Sequence, residues 1–195
     1  MALKTVTKLF GVDDAKLFPI TEDSDAKFTC AEGIDLPGVR QISLTYEIEE
    51  KSLTGDEKVL DISNKIKSVT FNMEYAKLSL EVLAQLTGGS YSVTGSGEEE
   101  VGTFSFGGED LPNYFQLKAQ ILDTSNDGGD VHFCIYKAKA TAIPLNGVQD
   151  DFATLTFDGK GVYTEHKFGI EHKQTKLIDI EIHSKAKELS ATVEE

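Results

Sequence analysis

Strict alternation of apolar and polar residues is the strongest pattern in the chain. Ile42, Leu44, Tyr46 and Ile48 fall on one side of an extended segment, with Gln41, Ser43, Thr45, Glu47 and Glu49 on the other. Successive side chains of a strand point to opposite faces, so this segment reads as a half-buried strand. A charged stretch over residues 50–57, containing Gly55, leads into a second alternating run. There Leu60 and Ile62 hold one phase and Val69, Phe71 and Met73 the other. One extra residue inverts the facing of everything after it, which predicts a bulge or break near Ser63, Asn64 and Lys65. The two runs together predict a hairpin with an extended tip. It is longer than one domain needs, which makes it a candidate for contact with a neighbour.

A second hairpin is as well marked. Phe115, Leu117, Ala119 and Ile121 share one face, a Gly-, Asn- and Asp-rich turn covers residues 124–129, and Val131, Phe133 and Ile135 then alternate with His132, Cys134 and Tyr136. Shorter strands are predicted over residues 15–20, 26–30, 101–106 and 177–182 and around Phe152, Leu155 and Phe157, with Asp158, Gly159, Lys160 and Gly161 as a turn. One helix is predicted. Ser79 caps it, Leu80, Val82, Leu83 and Leu86 give it an apolar stripe, and Gly88 and Gly89 end it. Residues 1–14 read as a polar N-terminal arm, 95–100 as a flexible acidic loop and 184–195 as a loosely held tail.

Composition narrows this to one mainly β domain. The 195 residues are 39% hydrophobic, with 11 Phe, 6 Tyr and no Trp, enough for one sizeable core. The net charge of -14, with Arg40 the one arginine, excludes binding to nucleic acid by phosphate neutralisation, which needs clustered Lys and Arg. Cys30 and Cys134 lie in apolar strand-like stretches and read as reduced core or interface residues. No leader and no membrane span is expected, and folding in the cytosol is the default.

The candidate chemistry is thin. Residues 123–128 match the first half of a calcium loop, but its closing Glu would fall at Cys134, so a hairpin turn is expected instead. Glu165-His166-Lys167 and Glu171-His172-Lys173 read as a solvated charged turn, and His132 and His183 as structural strand residues. There is no nucleophile elbow, no Cys/His signature and no phosphate loop. The expectation is a non-enzyme with no cofactor and no metal.

The order of these features resembles the major tail tube proteins of long-tailed bacteriophages. The likeness rests on Leu36-Pro37-Gly38-Val39 through Leu86-Thr87-Gly88-Gly89, on Leu111-Pro112-Asn113-Tyr114-Phe115, and on Tyr136-Lys137-Ala138-Lys139-Ala140-Thr141. The resemblance implies a β-sandwich or barrel-like fold with one flanking helix, and long hairpins that form an inner barrel between subunits. It further implies hexameric rings stacked into a virion tail tube, assembled in the host cytoplasm. Its implied partners are further copies of the chain, a tape-measure protein, a tail terminator and distal tail proteins, with DNA passing through the lumen unbound. On this expectation Ser43, Thr45, Glu47, Glu49, Gln116 and Gln120 face the lumen, with Lys118 and Lys137 moderating its charge. Lys51, Ser52, Leu53, Thr54, Gly55 and Asp56 at the hairpin tip, together with residues 4–14, would make contacts between rings. A tube of a contractile injection or type VI-like secretion system and a soluble β-sandwich binding module are the competing expectations.

Overall fold

The computed structural model describes residues 9–55, 58–123, 129–144, 154–169 and 174–194. The chain is mainly β, built on one large antiparallel sheet. Strand β1 (Leu9–Asp23) folds back through β2 (Phe28–Cys30) and β3 (Ile34–Asp35). The long hairpin β4 (Val39–Gly55) and β5 (Lys58–Tyr75) follows, then helix α1 (Leu80–Thr87) and a small hairpin, β6 (Ser90–Thr94) and β7 (Val101–Ser105). Next come β8 (Phe115–Asp123), β9 (Asp130–Ala142), β10 (Leu155–Val162), the short β11 (Lys167–Phe168) and β12 (Gln174–Thr175), and β13 (Ile178–His183). The nine-stranded sheet runs β2-β1-β8-β9-β10-β5-β4, with β3 beside β1 and β13 beside β9. β1 and β4, near opposite ends of that order, touch, so the sheet curls around its own core.

The expected mainly β fold and capped helix are present, and several boundaries differ from the sequence reading. Residues 9–14 belong to β1, not to a free arm, because β8 pairs with them (Phe10 with Leu122, Asp14 with Gln120); residues 1–8 lie outside the described residues. The charged tip is strand up to Gly55, paired from Glu50 opposite Asn64 to Gly55 opposite Lys58; Asp56 lies outside the described residues. Register breaks fall at Lys67, skipped between partners Ser68 and Ile66, and at Leu60, skipped between Asp61 and Val59. They therefore flank the expected site at residues 63–65. The acidic segment 95–100 is the exposed turn of the β6–β7 hairpin, whose first strand alternates Tyr91 and Val93 with Ser90, Ser92 and Thr94 and is absent from the sequence reading.

The predicted Asp158-Gly159-Lys160-Gly161 turn is instead the middle of β10, paired on both sides with β5 and β9. Its glycines serve close packing. A Cβ on Gly159 would sit 2.1 Å from Cζ of Phe71, and one on Gly161 would sit 2.6 Å from Ile135 and 2.7 Å from Val69. A strand glycine often marks such a close approach. Helix α1 is capped as expected: the Ser79 hydroxyl accepts from the Val82 amide, and Gly88 at φ 81° ends the helix.

Two cores result. The inner one, inside the curl, packs Leu17, Phe71, Tyr75, Phe115, Leu117, Ile135 and Phe157 against Val82 and Leu86 of α1. The second lies on the outer face of β8 and β9, where Phe28, Cys134, Tyr136 and Phe168 cluster. The C-terminal segment covers the same face and is not loosely held: Leu189 is buried, the Thr192 amide donates to Oε1 of Gln116 (2.8 Å), and the Lys187 amide to Oδ2 of Asp130 (2.7 Å). Glu194 also pairs with Phe28 in an isolated bridge.

Candidate functional site

Alternation along β4 places Ser43, Thr45, Glu47 and Glu49 on the outer face of the hairpin, as expected. Across the sheet Ser43 pairs with Asn72 and then Asp158, and Thr45 with Thr70 and then Lys160. Asn72 donates to Asp158 (2.7 Å). Glu47 accepts from Lys160 (2.6 Å) and from the Ser68 hydroxyl. These two bonds, the lysine foremost, hold its carboxyl below the ordinary range. The stripe is polar, continuous and open, and its charge at Glu47 is already balanced within the subunit.

Gln116 and Gln120 do not join this surface. Both are buried, at 0% and 8% exposure, as is Lys118. They share the outer face, but the second core and the C-terminal segment lie over them there. Gln116 holds that segment through Thr192, and Gln120 donates to Asp130 (2.6 Å). Lys137 also points inward, to Asp23 (2.7 Å). Burial pulls Asp23 upward, but Lys137 with the His166 and Glu165 amides outweighs it, leaving the carboxyl low. The assignment of Gln116, Gln120, Lys118 and Lys137 to a lumen is therefore corrected: polarity in the sequence gave no sign that another segment would cover them.

The apolar face of the same hairpin carries the second surface. Ile42, Leu44, Phe71 and Met73 on its inner half meet the core. In the cross-strand register the same face continues outward through Tyr46, Ile48 and Ile66, crosses the polar pair Glu50 and Asn64, and resumes at Ile62 and Val59, opposite Ser52 and Thr54. Its five large apolar side chains are 41–60% exposed. Leu53 and Leu60 are also exposed, as are Lys51, Ser52 and Thr54 at the outer end, where Lys51 lies 3.6 Å from Glu49. A further apolar groove opens elsewhere, beneath α1, between Leu83, Phe104, Phe106, Pro112 and Ile143.

Among the described histidines His166 departs from expectation: it is buried, not solvated. Its Nδ1 lies 3.1 Å from the Ser24 carbonyl and its ring meets Phe168 edge-on. His172 lies outside the described residues, as does most of the calcium-like stretch 123–128. His132 and His183, read from sequence as structural strand residues, lie in β9 and β13 and come together with Asp130. The sequence held one overlooked signal for this, Asp-x-His on one face of a strand. Cys30 and Cys134 are free, and burial pushes both thiols up to about 12, a protonated and unreactive state. Among the described residues no helix is long and apolar enough to cross a membrane. No protein-family model matches the chain, and no curated protein matches its sequence.

Proposed function

We propose that this chain is a non-enzymatic structural subunit that assembles with copies of itself into rings, stacked as the hollow tail tube of a long-tailed bacteriophage. The observation that carries this reading is the outer half of the β4–β5 hairpin. It is a two-stranded ribbon whose largely apolar face, broken at Glu50 and Asn64, runs on past the core with five large apolar side chains exposed. An isolated two-stranded ribbon is marginal in water, and an exposed apolar face of this extent marks an interaction site. β4 is also an edge strand, with unpaired backbone groups that a neighbour would satisfy.

Ring closure requires a heterologous contact, in which one surface of a subunit meets a different surface of the next. The ribbon and the groove beneath α1 are two such surfaces. In the ring the ribbon face covers the neighbour, and the opposite stripe of Ser43, Thr45, Glu47 and Glu49 lines the lumen. Both carboxylates of the stripe are paired with lysines, Glu47 with Lys160 and Glu49 with Lys51, so it offers DNA in transit no excess of positive charge to hold it. The outer end, with Lys51, Ser52, Leu53 and Thr54, meets the adjacent ring.

Electron microscopy of concentrated protein, with light scattering on a sizing column, tests the reading. The unaltered chain should give rings or tubes, and the double variant Ile48→Lys/Ile62→Lys should give monomers with an unchanged circular-dichroism spectrum. Persistent monomers from the unaltered chain at high concentration would refute it. Rings that survive both lysines would refute the ribbon as the contact.

A further inference from the structure

The β9–β13 ladder sets four potential metal ligands side by side. Asp130 lies directly opposite His183, and His132 directly opposite Glu181. Residues two apart on one strand and their cross-strand partners share a face, so all four side chains rise from the same patch of sheet. The imidazole centroids of His132 and His183 are 4.4 Å apart. One ligand atom each from Asp130, His132 and His183 falls within 4.8 Å of the others. Glu181 is at the margin, its carboxylate 3.2 Å from Nε2 of His183.

Hydrogen bonding leaves the ligand atoms open. Asp130 is fully buried, and its Oδ2 accepts from Nε2 of Gln120 and from the Lys187 amide. Its Oδ1 has no partner, and neither Nε2 of His132 nor Nε2 of His183 makes a hydrogen bond. His132 is 5% exposed. Its Nε2 lies 3.3 Å from the already occupied Oδ2, so that contact does not satisfy the second carboxylate oxygen. These three atoms are buried without a hydrogen bond, a costly arrangement that buried groups rarely adopt. A cation at their centre removes the cost. Gln120 and the Lys187 amide play the part of outer partners, fixing the carboxylate through Oδ2.

We infer that Asp130, His132 and His183 bind one divalent transition-metal ion of the zinc class, which clamps β13 and the C-terminal segment to β9. Two imidazoles and a carboxylate are a donor set for zinc and its neighbours, and not for calcium or magnesium, which take oxygen ligands. Tetrahedral zinc holds its ligand atoms about 3.4 Å apart, from bond lengths of about 2.0–2.2 Å. Side-chain rotation of about 1 Å therefore closes the site. Water or Glu181 takes the fourth position, on the side where His183 is partly exposed. The role is structural: strand β13 and the Lys187 amide are both held through the ion's ligands, so binding is linked to the folding of this edge.

The test uses the full chain without a histidine tag, stripped with EDTA and titrated with zinc chloride by calorimetry. One zinc per chain is expected, with a rise in Tm of about 5–10 °C at free zinc a hundredfold above the dissociation constant. Cobalt in place of zinc should show the visible bands of a tetrahedral site. His183→Gln should abolish uptake and the Tm rise while leaving the metal-free Tm nearly unchanged. Hydrogen exchange on the unaltered chain supplies a measurement independent of any variant: zinc should slow exchange across Ile178–His183 at least tenfold. No zinc uptake would overturn the inference. Uptake that persists in His183→Gln, or that leaves exchange in β13 unchanged, would overturn it equally.

Discussion

Hairpin β8–β9 is covered on both faces, whereas hairpin β4–β5 is covered on one face for half its length and on neither face beyond. In sequence the two carry the same alternation. In β8–β9 the apolar set meets the inner core, and the polar set (Gln116, Lys118, Gln120, His132) is sealed in by Phe28, Phe168 and the C-terminal segment. In β4–β5 the polar set stays in solvent, and past Tyr46 the apolar set does too. Alternation reports which side chains share a face. It does not report what lies on that face.

The comparison can be broken most forcefully at its two apolar sets. Leu117→Ala in β8 opens a cavity in the inner core and should lower unfolding free energy by about 2–5 kcal/mol, read from urea denaturation of the monomer. Ile62→Ala, on the same kind of alternating position, should change it by less than about 0.5 kcal/mol. Equal losses would mean that the ribbon is already buried. Gly159→Ala should cost about 1–3 kcal/mol by overpacking against Phe71, whose ring is confined by Phe115 and Phe157. A neutral result would show that the ring can yield.

Polar positions sharpen the same contrast on a smaller scale. Asp23→Asn removes the buried partner of Lys137 and should cost about 1–3 kcal/mol at neutral pH. Because the folded carboxyl is held low, its stabilisation is present above the unfolded value of about 3.9 and is lost as pH falls through the lower folded value. Asp23→Asn should therefore lose less stability than the unaltered chain as pH falls from about 5 through the lowered folded value. A parallel pH profile would place the acid sensitivity elsewhere. Glu47→Gln, on the open stripe, is the smallest case. Its bonds to Lys160 and Ser68 compete with water, and the urea midpoint should stay within error.

Much of the architecture was legible before the structure. Ile42 to Ile48 and Phe115 to Ile121 announced strands by period, and Ser79 with Gly88 announced both ends of α1, because backbone direction and capping chemistry are local properties. The reading failed where a distant segment intervened. Gly159 and Gly161 looked like a turn because the side chains that need their bareness, Phe71 over Gly159 and Ile135 and Val69 over Gly161, belong to other strands. Leu9 to Asp14 looked like an arm because their pairing partner is β8.

A mainly β domain, its facing pattern and the phase change in β5 follow from the order of residues alone. Tertiary structure alone decided which faces are closed, that Gln116 and Gln120 hold the C-terminal segment, and that Asp130, His132 and His183 stand together. The physical reason is range. Alternation and capping are set by neighbours a few residues apart, whereas burial and ligand clusters depend on strands such as β9 and β13, which are more than thirty residues apart in the chain and adjacent only once the sheet has formed.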